Sequence, residues 1–212
     1  MKNLCTFYIV RHGETAWNVE GKMQGQIDIP LNEKGQIQAG DVAKKLHKVH
    51  FDEVFSSDLL RAKQTAEIIM LSRKIAVKTT KLLWERSFGR HEGKSYEVYN
   101  RDLKEAIKKY QKLSEHERYK FRMDKGIETD EELLTRALTF IRETAVAYLG
   151  KTILVTTHGA LMRYLLVHLG FGTHEELRWG AIKNTAYFKL ISDGVDFFIK
   201  ESFGIEKKKI IS

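Results

Sequence analysis

Apolar positions along the chain change their period several times, and each change marks a switch between strand and helix. Phe7 to Val10, inside the run Cys5-Thr6-Phe7-Tyr8-Ile9-Val10, reads as a first strand. Ala39, Val42, Ala43 and Leu46 recur at helical spacing, and Glu53-Val54-Phe55-Ser56 reads as a second strand. Leu59, Ala62, Ala66, Ile69 and Met70 share one face of a following helix. Ala76 to Thr79 predicts a third strand. Thr129-Asp130-Glu131-Glu132 has the form of a capping box, and the helix it starts carries Leu134, Ala137, Leu138, Ile141, Ala145 and Tyr148 on one side before Gly150 stops it. Thr152 to Thr157 is continuously apolar or β-branched, as in a sheet covered on both faces. A helix over Ala160 to Leu169 follows. Ala186–Ile191 and Phe197–Lys200 flank Asp193-Gly194 as a hairpin. This alternation predicts a layered α/β fold. Residues 95 to about 125 are helical in composition with little apolar periodicity, which predicts a cap or insertion outside the core.

The 212 residues and 42% hydrophobic content suit one large domain. No apolar stretch reaches about 18 residues, so no membrane helix is expected. The opening run is too short and too β-branched for a secretory segment, and Arg11 follows it at once. The single cysteine excludes an internal disulfide framework, which favours a reducing, cytoplasmic setting, with Cys5 a small buried hydrophobe. Net charge is +8, and residues 101–125, with nine basic and five acidic residues, carry half of it. The excess suits either a solvated basic surface or attraction of a small anionic substrate. No nucleic-acid recognition motif accompanies it. Lys207-Lys208-Lys209 has the look of a frayed tail.

The chemistry gathers at strand ends. Tyr8-Ile9-Val10-Arg11-His12-Gly13 and Val155-Thr156-Thr157-His158-Gly159 each close a buried strand with His-Gly. Ligands of open α/β sheets bind outside the carboxyl ends of strands, so both histidines can face one pocket. Helices that begin there are expected to aim free N–H groups at an anion. Arg11 offers a planar fork for phosphate oxygens. Ser56-Ser57-Asp58-Leu59-Leu60-Arg61 brings a second arginine to another strand-to-helix junction, and Leu83-Trp84-Glu85-Arg86 brings a carboxylate to a third. Spacing alone leaves plainer readings open: a structural histidine, a surface ion pair, an exposed loop acid. No His-Glu-x-x-His, cysteine pair or acidic cluster points to a metal, and no phosphate-binding glycine loop of the nucleotide type is present.

At these residues the chain resembles a known family. Arg11-His12-Gly13-Glu14-Thr15-Ala16-Trp17-Asn18 is similar to the signature of the histidine phosphatase superfamily, the phosphoglycerate mutase-like proteins. Further blocks follow in the family's order: Gln24 to Leu31 with Gly35 and Gln38-Ala39; Ser56 to Ala66; Glu85, Phe88-Gly89 and Glu92-Gly93; and His158-Gly159 with Arg163. The resemblance implies a single three-layer α/β/α sandwich over residues 1–212. Its mostly parallel sheet would have about six strands with one antiparallel edge, and a lid inserted at about 86–128. It implies that His12 attacks phosphorus, that Arg11, Arg61 and His158 hold the phosphoryl oxygens, and that Asn18, Gln24, Gly25 and Gly159 complete the phosphate pocket. Glu85 would protonate the leaving oxygen and then activate water. The other acids in comparable turns, Glu14 and Asp58, adjoin the arginines in sequence and are expected to orient them.

The chain departs from the family pattern at His91, where tryptophan is common, a position expected to shape substrate contacts. Its residues 95–127 do not resemble the longer insertions of true mutases, which favours phosphatase over mutase. The resulting expectation is a phosphomonoester hydrolase of the histidine acid phosphatase type, needing no cofactor or metal, monomeric or homodimeric. Its substrate would be a small phosphorylated metabolite such as a sugar phosphate, a phosphoglycerate, fructose 2,6-bisphosphate or a cobalamin-pathway phosphate, with neither nucleic acid nor membrane as partner. A phosphoglycerate mutase is the enzymatic alternative. A silent phospho-ligand module is the other, against which stands the presence of all five expected site residues.

Overall fold

A computed structural model describes residues 4–208. Its core is a six-stranded sheet in the order β3-β2-β4-β1-β5-β6. The strands are β1 (Cys5–Arg11), β2 (Glu53–Ser56), β3 (Val77–Thr79), β4 (Thr152–Thr157), β5 (Ile182–Ser192) and β6 (Phe197–Ile205). β1, β2, β3 and β4 pair in parallel, while β5 runs antiparallel to both β1 and β6. The opposed strand is therefore β5, one place in from the edge, and not the edge strand expected from the resemblance. The hairpin turn at Asp193-Gly194 lets β6 continue outward as the edge.

Alternation along β1 explains the layers. Cys5, Phe7 and Ile9 face one apolar cluster, with helices α7 (Asp130–Ala147) and α8 (Gly159–His168) packed over it. Tyr8 and Val10 face the other, under α2 (Glu33–Lys45) and α3 (Leu60–Met70). Every second side chain points to the opposite face, so a strand buried on both sides must be apolar throughout. β4 repeats the pattern, with Ile153 and Val155 on one face and Leu154 on the other. Cys5 is fully buried, and burial pushes its thiol up to about 12.

Local capping sets where the helices begin. Asn32 accepts the Gly35 N–H ahead of α2, and Thr129 and Glu132 exchange the reciprocal bonds of a capping box ahead of α7. A four-residue helix, α1 (Ala16–Val19), starts the same way from Thr15 and Asn18. Residues between β3 and α7 form α4 (Tyr96–Asp102), α5 (Lys104–Lys112) and α6 (Glu115–Lys120). A bridge between Phe88 and Ile127 closes the base of this segment, and a buried Arg86–Asp130 ion pair of 2.9 Å lies beneath it.

The stretch after β6 is not frayed as far as it is described. The Lys208 N–H donates to the Glu176 carbonyl at 3.0 Å, and the Lys207 ammonium lies over the Phe171 ring. Lys209 lies outside the described residues.

Candidate active site

Adjacent parallel strands bring the two histidines together. Arg11, the last residue of β1, stands in register with Thr157, the last of β4, so His12 and His158 leave the sheet side by side. Their rings lie 5.2 Å apart between centroids. His12 is 2% exposed and His158 fully buried. A cavity of about 290 Å³ opens over this end of the sheet. Arg11, His12, Asn18, Gln24 and Gly25 line it, as do Arg61, Glu85 and Gly159. His158 does not line it and sits behind His12.

The His12 ring is fixed by its own turn. Nδ1 lies 2.7 Å from the Gly13 carbonyl oxygen, which can only accept, so Nδ1 carries the proton and Nε2 keeps its lone pair. The Gly13 N–H in turn donates to Thr65 Oγ1 of α3 at 3.0 Å. Burial, followed by the charges of Arg61 and Arg11, holds His12 well below the ordinary histidine range. Burial and Arg61 do the same to His158.

Each arginine is partly engaged by backbone. Arg61 donates through Nη1 to Ile27 O at 2.8 Å and through Nη2 to Gly25 O at 2.7 Å, folding the 24–28 loop over α3. Burial draws its guanidinium down to about 10, with the Glu85 charge opposing. Arg11 donates through Nη1 to Ile182 O at 2.5 Å. Arg11 Nε, Arg61 Nε and both His158 ring nitrogens are buried and have no hydrogen-bond partner among the described residues. A Cβ at Gly159 would lie 3.1 Å from Arg11 Nε, so the glycine is what lets Arg11 cross the start of α8. Gly25 holds φ +52, and a Cβ there would meet Glu92 Oε1 at 2.1 Å.

Glu85 occupies a place the sequence reading reserved for the ligand. Its Oε2 accepts the Ala160 N–H at 3.1 Å, and its Oε1 accepts those of Leu161 at 3.2 Å and Arg86 at 2.9 Å. The N–H groups of Ala160 and Leu161 at the start of α8 thus serve this carboxylate. Gln26 Nε2 and Arg136 Nη2 donate to the Glu85 carbonyl, and Arg136 also holds Leu82 and Trp84. Asn18 Oδ1 accepts from Thr15, and Gln24 Oε1 accepts the Thr15 hydroxyl at 3.0 Å.

Three further expectations are corrected. Glu14 lines the cavity but binds Asn32 and Lys34, and Asp58 accepts from the Trp84 indole, so neither acid orients an arginine. His91 is fully buried with Nε2 3.0 Å from Asp124, away from the cavity lining, where it ties the inserted segment to itself. From that segment only Phe88 and Tyr96 reach the cavity, and none of its lysines does.

Sequence reading missed the opposite wall. Arg178, Trp179, Gly180, Lys183 and Asn184 line the cavity from the loop before β5 and the start of that strand. Asn184 Nδ2 donates to the His12 carbonyl at 3.2 Å and to Asn18 at 3.3 Å. The register of β5 slips between Ile182 and Tyr187, and Thr185 sits at φ +57, a strained conformation for a β-branched residue. Nothing local in Lys183-Asn184-Thr185 announces this bulge.

Residues 7–202 match the family model of the histidine phosphatase superfamily (branch 1). Phosphoglycerate mutase-like protein 4 of Arabidopsis thaliana is 37% identical over 159 residues, 74% of this chain and 67% of that protein. The uncharacterized phosphatase PhoE of Bacillus subtilis is 34% identical over 167 residues, 79% of this chain and 78% of that protein. A crystal structure of phosphoserine phosphatase with 3-phosphoglyceric acid, from Entamoeba histolytica, superposes with a TM-score of 0.78 at 26% identity, covering 93% of this chain and 96% of that one. Among the described residues no helix is long and apolar enough to cross a membrane. With its motif blocks in order along one α/β sandwich and nearly its whole length matched, the chain belongs to the histidine phosphatase superfamily, and the members similar to it include phosphatases and phosphoglycerate mutase-like proteins.

Proposed function

We propose that this chain hydrolyses phosphomonoesters of small metabolites through a phosphohistidine on His12, without a metal. The observation that carries the reading is the 2.7 Å contact of His12 Nδ1 with the Gly13 carbonyl, which leaves Nε2 unprotonated at the cavity. In the first step Nε2 attacks phosphorus and the ester P–O bond breaks. The leaving oxygen takes a proton from Glu85. Oε1 already accepts two N–H groups and Oε2 one, so Oε2 has the spare lone pair on which that proton would ride. In the second step water attacks phosphorus, Glu85 recovers a proton, and the P–N bond breaks to release phosphate.

Arg11 and Arg61 lower the cost of charge on the phosphoryl oxygens, which is the main work such a transfer asks of a protein. Their unpartnered Nε atoms suit an oxyanion as the missing partner, and His158, neutral and outside the cavity lining, has at most one ring N–H to add. Asn18, Gln24, Gly25 and Gly159 shape the rest of the phosphate pocket. The inserted segment at about 86–128 contributes Phe88 and Tyr96 as a lid edge.

Acid quench during turnover of labelled substrate tests the reading. The expected adduct is acid-labile and alkali-stable, absent in His12→Ala, and formed undiminished in EDTA. Unimpaired turnover by His12→Ala, or a strict need for a divalent ion, overturns it. Conversion of 3-phosphoglycerate to 2-phosphoglycerate faster than phosphate release would move the chain to the mutase reading.

A further inference from the structure

Five cationic side chains line the cavity, and three of them are already spent. Arg11 and Arg61 stand at the phosphoryl end. Arg163 of α8 holds the loop between α8 and β5, donating through Nη2 to His174 O at 3.0 Å and through Nε to Leu177 O. The remaining two are Arg178, within that loop, and Lys183, at the start of β5. Arg178 has no carboxylate partner among the described residues, and its Nε reaches only the Glu175 carbonyl at 3.3 Å. Lys183 shares Glu206 at 3.1 Å, in a pair whose side chains are 54% and 69% exposed, so its charge is loosely held.

The cavity's own acids do not neutralise them. Glu14 is engaged by Lys34 and Asn32, and Glu85 by three peptide N–H groups. Beside Arg178, Trp179 stands edge-on to Phe88 and to Tyr96, each at 5.9 Å, and is 53% exposed. A second depression shares Arg178 and Lys183 and continues to Lys207 and Lys208, four cations against the carboxylates of Glu176 and Glu206, so a positive excess runs outward from the mouth. Lys104, Lys108 and Lys112, part of the basic excess of residues 101–125, are exposed on α5 and do not line the cavity.

We propose that the leaving group carries an anionic group of its own, a carboxylate or a second phosphate, which Arg178 receives with help from Lys183 while Trp179 covers the carbon skeleton between the two ends. The proposal rests on the phosphatase reading above. A guanidinium fork fits either anion in two-point fashion, and a charged rim speeds capture in a salt-sensitive way.

A charge swap tests it. The selectivity of the full chain is measured as the ratio of kcat/KM for a phosphoglycerate to kcat/KM for phosphocholine, whose tail is cationic. Arg178→Glu should lower that ratio by about a hundredfold, Arg178→Gln by about tenfold, and Arg178→Lys by far less. Partial unfolding lowers both rates alike and leaves the ratio in place, so the readout survives a weakened variant. A sugar bisphosphate run beside the phosphoglycerate separates the two anions, since the natural type should show the larger loss in Arg178→Gln. A ratio unmoved by Arg178→Glu, or a wild-type preference for phosphocholine, overturns the proposal while leaving the phosphatase reading intact. Failure to hydrolyse any phosphomonoester, p-nitrophenyl phosphate included, overturns both.

Discussion

Glu85 Oε2 lies 3.1 Å from the amide nitrogen of Ala160, which makes the proposed acid the cap of helix α8 as well. The first N–H groups of a helix have no partner within it, and a carboxylate there also meets the positive end of the helix dipole. Replacement should therefore be felt in both rate and stability. Glu85→Gln is expected to lower kcat on an alkyl phosphate by about 10²–10⁴, and much less on an aryl phosphate whose leaving group needs no proton. Glu85→Ala should in addition cost about 1.5–3 kcal/mol in urea denaturation. Equal rate losses on the two esters would remove Glu85 from proton transfer.

His12 and His158 are both held well below the ordinary histidine range by burial and by Arg61. Above about pH 7 folded and unfolded chains both carry them neutral, and neither affects stability. As pH falls below about 6.5 the unfolded chain takes up protons that the folded chain refuses. Each histidine should then subtract about 1.4 kcal/mol per pH unit from folding stability. Urea denaturation between pH 7.5 and 5 should show His158→Gln with the shallower slope, by about that amount. A slope equal to that of the parent chain would mean that His158 is protonated in the fold. For the same reason the acid limb of kcat should not fall at the free histidine value.

Gly159 lets Arg11 pass over the start of α8, and an added Cβ would stand 3.1 Å from Arg11 Nε. The arginine tip can yield, so Gly159→Ala should fold with little loss of stability. Its guanidinium would then sit displaced from the phosphoryl end. The expected result is a rise in the Ki of phosphate or vanadate together with a fall in kcat/KM. Unchanged inhibition by both anions would show that Arg11 does not set the anion position.

Asp130 and Arg86 form an ion pair of 2.9 Å whose side chains are each 4% exposed, and the Tyr110 hydroxyl donates to the same carboxylate at 2.7 Å. Asp130→Ala would strand a buried guanidinium and leave the half-buried Tyr110 hydroxyl without its acceptor, at a cost of about 3–5 kcal/mol. Tyr110 belongs to α5, so hydrogen exchange across Lys104–Lys112 should also accelerate. Asp130→Leu combined with Arg86→Met should recover part of the loss, because it removes both buried charges but leaves the Tyr110 hydroxyl and the Glu128 carbonyl, which Arg86 Nε serves at 2.8 Å, without those partners. Failure of the double variant to recover would assign Arg86 a further duty beside Glu85.

Local pattern foretold the parts of the site that depend on local pattern. β1 and β4 are apolar on both faces and end in His-Gly, so their histidines could be placed before any coordinates, and the β1–β4 register put them side by side. Glu85 was visible as an acid in a junction, but not as the cap of a helix 75 residues further on. Arg178, Trp179 and Lys183 were not visible, since their loop has no period and its approach depends on β5 pairing antiparallel with β1. Asn184 reaches the His12 carbonyl across 172 positions of chain, a contact that only topology creates. The basic excess of residues 101–125 was plain in the sequence, but a charge count says nothing about which way α5 faces relative to the cavity.

The loop held by Arg163 has a consequence for how such a protein can change over time. Its carbonyls at His174 and Leu177 are tethered by a side chain from α8, and those at Glu176 and Ala181 by the N–H groups of Lys208 and Glu206, so much of its path is set from outside its own sequence. The side chains of Arg178 and Trp179 project from that path and add little to it, a 3.3 Å bond from Arg178 to the Glu175 carbonyl and edge contacts of Trp179 with Phe88 and Tyr96. A lineage, or a library confined to those positions, can therefore exchange one leaving group for another while the machinery on phosphorus is inherited unaltered. Drift in substrate preference is then cheap, and drift in reaction type is not.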